Sequence, residues 1–403
     1  MDDLIIYQIF PDRFYKSGEN NYYNHLRSWD QKPSRSSFFG GNLKGIIEKM
    51  DYLKELGINA LYLTPIFKSP STHKYDTEDY CQIDPGFGNM DDFENLLKCA
   101  HEKGIKVFLD GVFNHTGIRF FAFKDIRQKG EQSTYYNWYK VHQTPLKLKP
   151  KPSYEDAGIY YIPKLNHALP EVVDYLKKII RYWTNKEIDG WRFDMPWCIP
   201  PEVVNALIKE AKSINHSITV IGETWEQPNQ LLKNYHFDGT MDYIVRNSVI
   251  NLLNQKISPK AFQEALDYKT KQPKSQNWNM LGSHDTKRIR GALNRNLNKV
   301  LIVQAIQFFL PGHPVIYYGD EIGLYGGKDP DCRRPFKWDR EERNETIYEN
   351  VKSFINIRKR HSDLFTEGSC HFLQNENRLT IKRQLKQKTI SLKIDIKQLT
   401  YSI

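Results

Sequence analysis

The chain is predicted to fold as an α/β protein, a (β/α)8 TIM barrel with an insertion after its third strand and a small C-terminal antiparallel β domain. Three features point there. Strand-like apolar runs alternate with helical-period segments over residues 1–361, the pattern of repeated βα units. Four of those runs break off into charged or polar residues: IKVFLDGVFNH (105–115), GWRFD (190–194), ITVIGETW (218–225) and NMLGSHDT (279–286). They deliver Asp110, Asn114, His115, Arg192, Asp194, Glu223, His284 and Asp285 to strand ends, where a parallel barrel builds its sites rather than its core. Finally, residues 362–403 switch to period two, the spacing of a strand with one buried face.

The elements follow in order. IIYQIF (5–10) is the first strand. NLKGIIEKMDYLKELG (42–57) is a helix with Ile46, Ile47, Met50, Leu53 and Leu56 on its apolar side and Gly57 as its stop. INALYLTPI (58–66) is the second strand, a helix lies near 90–103, and IKVFLDG is the third strand. Residues 116–166 then break the rhythm. They are aromatic- and lysine-rich, contain Pro145, Pro150, Pro152 and Pro163, and show no clear helical period. An irregular stretch of that length reads as an inserted B domain overhanging the barrel mouth. PEVVDYLKKIIRYWTNKE (170–187) is a helix with Pro170 in its first turn. Strand four is IDGWRFD, strand five ITVIGE, strand six FDGTMDY (237–243), strand seven WNMLGS (278–283) and strand eight PVIYYGD (314–320). Helices fall near 200–213, 227–235, 258–270, 298–312 and 346–361. RLTIKRQ (378–384) and TISLKIDIKQ (389–398) are the strands of the tail, with lysines guarding its edges.

Composition narrows the function class. A formal charge of +10 invites a nucleic-acid partner, yet the basic residues are scattered and form no run of the kind that binds phosphate backbones. The denser patches, KLKPKP (147–152) and KRQLKQK (382–388), read as a solvated loop and a strand edge. No nucleic acid and no membrane are expected as partners, since no apolar stretch approaches spanning length. Cys81, Cys99, Cys198, Cys332 and Cys370 are scattered without metal-ligand or disulfide spacing. The N-terminal apolar run is too short for a signal peptide, so a cytoplasmic location is expected. Gly40, Gly41 and Gly45 lack the context of a phosphate loop.

With those residues placed, the chain resembles glycoside hydrolase family 13, the α-amylase family. DGVFNH, GWRFD, GETW and GSHD match the four short motifs of that family in order. GINALYLTPIF (57–67), HKYDTEDY (73–80) and PVIYYGDEIG (314–323) extend the match over about residues 4–361. IPKLNH (162–167) and DPDCRRPFKWD (329–339) are similar to the neopullulanase, cyclomaltodextrinase and maltogenic amylase branch. That branch carries an N-terminal β-sandwich, whereas this barrel begins almost at Met1. A monomer is plausible and the oligomeric state is left open. After Asp194 come Met195, Pro196, Trp197 and Cys198, where the branch has a small residue followed by an asparagine and a glutamate.

The resemblance implies a retaining glycosidase built on a carboxyl pair. Asp194 is then the nucleophile that forms a glycosyl ester, and Glu223 is the acid/base. Neighbouring strands lie about 4.8 Å apart, which suits the short carboxyl separation of a double displacement. Crowding with Asp194 and Asp285 is expected to keep a proton on Glu223. Arg192, two residues before Asp194, shares its face of the strand and would hold it ionised. Asp285, His115 and His284 would grip sugar hydroxyls. By resemblance Tyr75 stacks on the ring, and Asp329 and Arg333 contact the next sugar inward. Trp197 and Trp225 divide between packing and stacking on the leaving-group side. Asp110 and Asn114 are expected to organise the third βα loop. Relatives can bind calcium after strand one through oxygen ligands; that loop here reads DRFYKSGENNYYN (12–24) and GGN (40–42), poor in carboxylates, so no cofactor or metal is expected to be required. The expected partner is an α-glucan oligosaccharide or polysaccharide. The expected activity is hydrolysis of α-1,4 bonds in maltooligosaccharides, cyclodextrins or starch, with α-1,6 cleavage open. A glucanotransferase using the same site is the alternative, and a non-catalytic carbohydrate-binding barrel a third.

Overall fold

On three adjacent barrel strands the inward-facing positions run from non-polar at the base to charged at the rim, and that gradient places the site. The structure is a computed structural model describing residues 3–403 other than Asn20, Asn21, Gln227 and 272–275. Eight parallel strands close the barrel: β1 (Ile6–Ile9), β2 (Ala60–Leu63), β5 (Lys106–Gly111), β6 (Gly190–Phe193), β7 (Thr219–Thr224), β8 (Gly239–Asp242), β9 (Trp278–Met280) and β10 (His313–Tyr317). Between β2 and β5 a hairpin, β3 (Phe67–Lys68) and β4 (Asp79–Ile83), stands apart from the barrel.

The inside of the barrel is filled by one cluster that includes Ile6, Ala60, Tyr62, Phe108, Ile221, Met241, Trp278 and Val315. Gly190 is a glycine because Phe108 fills this space: a Cβ there would run into the phenylalanine ring. Two residues further along the same inward faces, Phe108 gives way to Asp110, Gly190 to Arg192 and Ile221 to Glu223. The strand register sets Asp110 beside Arg192, and Arg192 beside Ile221. The alternate positions, such as Leu61, Leu63, Val107, Leu109 and Trp191, face the surrounding helices in a second, larger core.

All eight barrel strands expected from sequence are present. The helix over 42–57 is two helices, Leu43–Glu48 and Met50–Leu56, which meet at Lys49 before Gly57 ends the second with a φ of 104°. The helix near 258–270 is likewise divided, into Pro259–Ala265 and Asp267–Lys271. A helix absent from the sequence reading, Tyr243–Leu253, follows β8 directly, capped by the Asp242 carboxylate accepting from the Val245 N–H. Residues 116–166 contain a helix, Phe121–Lys129, despite the lack of period seen there, together with 3-10 turns and isolated antiparallel bridges such as His115–Lys164 and Tyr139–Leu165.

The tail forms four strands, β11 (Ser369–Asn375), β12 (Arg378–Leu385), β13 (Lys388–Asp395) and β14 (Thr400–Ser402), where two were read. The basic patch at 382–388 is therefore not an edge: β12 is flanked by β11 and β13, and Arg383 on it is fully buried. Its guanidinium donates to the carbonyls of Leu364, Phe365 and Gly368 at 2.9–3.0 Å, tying the sheet to the barrel's last helices.

Candidate active site

Arg192 is the hub of the rim. The side chain is 1% exposed and meets three carboxylates: Nη1 lies 2.8 Å from Asp110 Oδ1 and 2.8 Å from Asp194 Oδ1, and Nη2 lies 2.9 Å from Glu223 Oε2. Asp110 comes from β5, Asp194 directly follows β6, and Glu223 sits on β7, so neighbouring staves deliver one acid each. One guanidinium cannot neutralise three carboxylates in a buried place, and a surplus of negative charge holds protons. Burial pushes the Asp194 carboxyl well up; Arg192 opposes the shift, and Glu223 and Asp110 add to it. Asp110 is raised for the same reason, burial outweighing Arg192. Asp194 and Asp110 thus titrate as members of one interacting set around Arg192.

From this hub the contacts run on without a break. Asp110 Oδ2 accepts from the Tyr62 hydroxyl at 2.6 Å and from the Tyr75 hydroxyl at 2.8 Å. The Tyr75 hydroxyl also lies 2.8 Å from His284 Nε2, and the two rings stack with centroids 5.3 Å apart. His284 Nε2 in turn is 3.0 Å from Asp285 Oδ2, and Asp285 Oδ1 is 3.2 Å from Arg333 Nη2. Arg333 continues to Asp329 at 3.1 Å. Asp194, Glu223 and Asp285 therefore share one continuous polar chain, and Tyr75, Arg333 and Asp329 belong to it. Asp110 is a correction to the sequence reading: it organises more than a loop, since it is the acid that joins Arg192 to Tyr75. Its position on the inward face two residues after Phe108 was the signal that could have revealed this.

The histidines are neutral near pH 7. Burial pushes His115 down to about 4 and lowers His284 well below the ordinary value. Gln8 Nε2 sits 2.9 Å from His284 Nδ1, which leaves the ring proton on Nε2, facing Tyr75 and Asp285. His115 Nε2 contacts the Tyr75 carbonyl at 3.1 Å, so His115 holds the backbone that carries Tyr75. Asn114 lies behind it, its Nδ2 3.2 Å from His115 Nδ1.

Tyr75 rides on the loop between β3 and β4, and that loop is pinned by a buried cation. Lys74, at φ 65°, places its ammonium 2.8 Å from Asp84 Oδ2, 3.0 Å from the Ser69 carbonyl and 3.0 Å from the Tyr23 hydroxyl. In the loop after β1, Asn42 caps a helix through the Gly45 N–H; Asn20 and Asn21, in the segment read as a possible calcium loop, lie outside the described residues. Among the described residues no group of three or more His, Cys, Asp or Glu side chains is arranged to hold a metal ion.

Glu223 is held from both sides. The Met195 N–H donates to Oε2 at 3.0 Å and the Trp225 indole N–H donates to Oε1 at 3.0 Å. Met195 achieves this from a left-handed backbone, φ 44° and ψ 46°, a strained setting for a non-glycine residue beside a carboxylate of the site. Trp225 stacks flat on Tyr243, centroids 4.1 Å apart and planes within 6°.

Comparison with known proteins accords with this geometry. The α-amylase catalytic-domain family matches residues 8–387. Cyclomaltodextrinase of Thermoanaerobacter pseudethanolicus is 40% identical over 396 residues, which are 96% of this chain and 69% of that protein. Neopullulanase 2 of Thermoactinomyces vulgaris is 41% identical over 380 residues, 91% of this chain and 64% of that protein. The chain thus spans about two thirds of the length of these relatives. Among solved structures, a cyclic α-maltosyl-(1→6)-maltose hydrolase from Arthrobacter globiformis superposes with a TM-score of 0.95 at 32% identity, covering 98% of this chain and 90% of that one. Family match, relatives and fold agree: the chain belongs to the α-amylase family, glycoside hydrolase family 13, and is a glycoside hydrolase.

Proposed function

We propose that this protein is a retaining α-glucan hydrolase that cleaves α-1,4-glucosidic bonds in maltooligosaccharides and cyclodextrins, and α-1,6 bonds as well. The observation that carries the reading is the unbroken chain of contacts joining Asp194, Glu223 and Asp285 through Arg192, Asp110, Tyr75 and His284. In the first step an Asp194 oxygen bonds to the anomeric carbon, the bond to the leaving oxygen breaks, and Glu223 gives that oxygen its proton. In the second, water attacks the ester, Glu223 takes the water's proton, and Asp194 leaves as carboxylate. Arg192 stabilises the released Asp194 charge at each turnover. Asp285 and the Nε2–H of His284 bind ring hydroxyls, and Tyr75 offers its ring to the sugar face. Arg333 and Asp329 extend the site to the next sugar. The names of the relatives support the α-glucan class, and the Arthrobacter neighbour's (1→6)-linked substrate supports α-1,6 cleavage.

No metal enters this scheme. The presence of a relative named intracellular maltogenic amylase, from Bacillus subtilis, supports a cytoplasmic setting. Among the described residues no helix is long and apolar enough to cross a membrane. Incubation with maltotriose, β-cyclodextrin, pullulan and starch tests the assignment. Asp194→Asn and Glu223→Gln are each expected to lower turnover by on the order of 10⁴-fold with the fold intact. Near-normal rates in either variant would refute the roles of nucleophile and acid/base.

A further inference from the structure

Gln8 stands on β1 two residues after Ile6, so it shares the inward face of that strand and lies level with Tyr62 on β2. It is fully buried, and its side chain ends beside His284, with Nε2 2.9 Å from His284 Nδ1. Its other polar atom, Oε1, is buried and has no partner among the described residues. A buried amide oxygen left unpaired costs free energy. An apolar side chain would fill the same space without that cost, so space-filling does not account for the amide.

The His284 ring needs a donor at Nδ1. On its far side Nε2 lies 3.0 Å from Asp285 Oδ2 and 2.8 Å from the Tyr75 hydroxyl. An ionised carboxylate only accepts, and the Tyr75 hydroxyl gives its hydrogen to Asp110 Oδ2. Both partners therefore call for a hydrogen on Nε2. A second hydrogen on Nδ1 would make a buried cation, which burial opposes first and which Arg333, Arg192 and His73, all facing the ring, oppose further. Nδ1 is left with a bare lone pair, and Gln8 donates to it. The backbone of His284 is fixed independently, its carbonyl accepting from Arg333 Nε at 2.7 Å and from Cys332 Sγ at 3.1 Å. Gln8 thus bears on the proton of the ring more than on its place.

We propose that Gln8 is a positioning residue that holds the His284 hydrogen on Nε2 and so gives one direction to the hydrogen bonds running from β1 through His284 and Tyr75 to Asp110. Gln8 donates to His284, His284 to Tyr75, and Tyr75 to Asp110. Bonds aligned donor to acceptor in this way polarise one another. The run ends on a carboxylate that Arg192 also holds, and it turns the Nε2–H toward the side where Asp285 stands. Its effect on turnover rests on the hydrolase reading above, in which Asp285 and that N–H bind ring hydroxyls.

The test is Gln8→Glu, a change of nearly equal shape. The introduced carboxyl and His284 share one added proton. While that proton is bound, on either partner, Nε2 keeps its hydrogen. Once it is lost, the ring hydrogen moves to Nδ1 to meet the carboxylate, and Nε2 becomes an acceptor facing Asp285. The variant's kcat/KM on maltotriose should lie within about tenfold of native at the acid end of the pH profile and on the order of 10²-fold below it at the alkaline end. Gln8→Leu, which brings no donor, should lose about tenfold at every pH and gain no new limb. A Gln8→Glu profile of native shape overturns the proposal, since it is what a space-filling residue gives. Nitrogen NMR of the native enzyme labelled in its histidines reads the ring directly, with His284→Gln identifying its signal. Hydrogen on Nε2 and a bare Nδ1 support the assignment; hydrogen on Nδ1, or on both, overturns it. A native enzyme with that ring but no activity on any α-glucan overturns the hydrolase reading and leaves the role of Gln8 standing.

Discussion

Arg192 and Arg383 are both buried guanidiniums, one at the barrel rim and one in the seam between barrel and C-terminal sheet, and their partners differ in kind. Arg192 faces three carboxylates. Arg383 faces backbone carbonyls, and Arg358 nearby pairs with the single carboxylate of Asp3 and the carbonyls of Phe308 and Gly312. In the seam, charge is matched or softened by dipoles, which serves to hold two layers together. At the rim the acids outnumber the cation, an arrangement that costs stability and stores protons. A surplus of buried like charge, rather than the presence of buried charge, separates the working region from the structural one.

That contrast can be broken by experiment. Arg192→Met removes the cation that pairs with three buried carboxylates; kcat/KM on maltotriose should fall at least about 10³-fold, with the pH–rate profile displaced upward as the acids bind protons more tightly. A profile that keeps its position would mean that Arg192 does not govern the cluster. Arg383→Met should leave kcat/KM within about twofold while lowering unfolding free energy by about 3 kcal/mol in a denaturant titration, because the carbonyls lose their donor. Loss of activity without loss of stability would erase the distinction between the two regions.

Glu321 is an intermediate case, a fully buried acid with two tyrosine hydroxyls and, among the described residues, no cation paired with it, 2.7 Å from Tyr7 and 2.8 Å from Tyr52. Burial pushes its carboxyl up from 4.5 to about 7. The folded chain keeps this proton longer than the unfolded chain does, so the contribution is complete below about 4.5 and is lost as pH climbs through about 7. Glu321→Gln should flatten the stability profile between pH 4.5 and 8 by about 3 kcal/mol. An equally steep decline in the variant would place the titrating group elsewhere. The smallest effect is expected from calcium: Tm and activity should move little on adding millimolar calcium or a chelator, and tight stoichiometric binding by calorimetry would contradict that.

The barrel was legible because period and strand-end chemistry agree at each stave. The short helix Phe121–Lys129 was not, since the aromatic residues around Ala122, Phe123 and Ile126 blur its apolar stripe. The helix Tyr243–Leu253 starts within the residues read as a strand; Asp242 ahead of Val245, Val249 and Leu252 was its available signal. At the site, the acids on strand ends could be read from motif and position. The part played by Asp110 depended on which strands become neighbours, and that is a property of the closed barrel. Arg383 was hidden for a related reason: a basic residue in a basic run looks solvated until a layer is laid across it.

Lys74 has a consequence of its own. An ammonium fixed by a covalent stem among Asp84, Ser69 and Tyr23 cannot diffuse away, so the segment that presents Tyr75 carries its own counter-ion wherever the protein goes. The shape of the entrance is thereby written into the polypeptide instead of being borrowed from the surrounding medium. An alkaline environment, by stripping the proton from that amine, would be the condition under which the entrance first loosens.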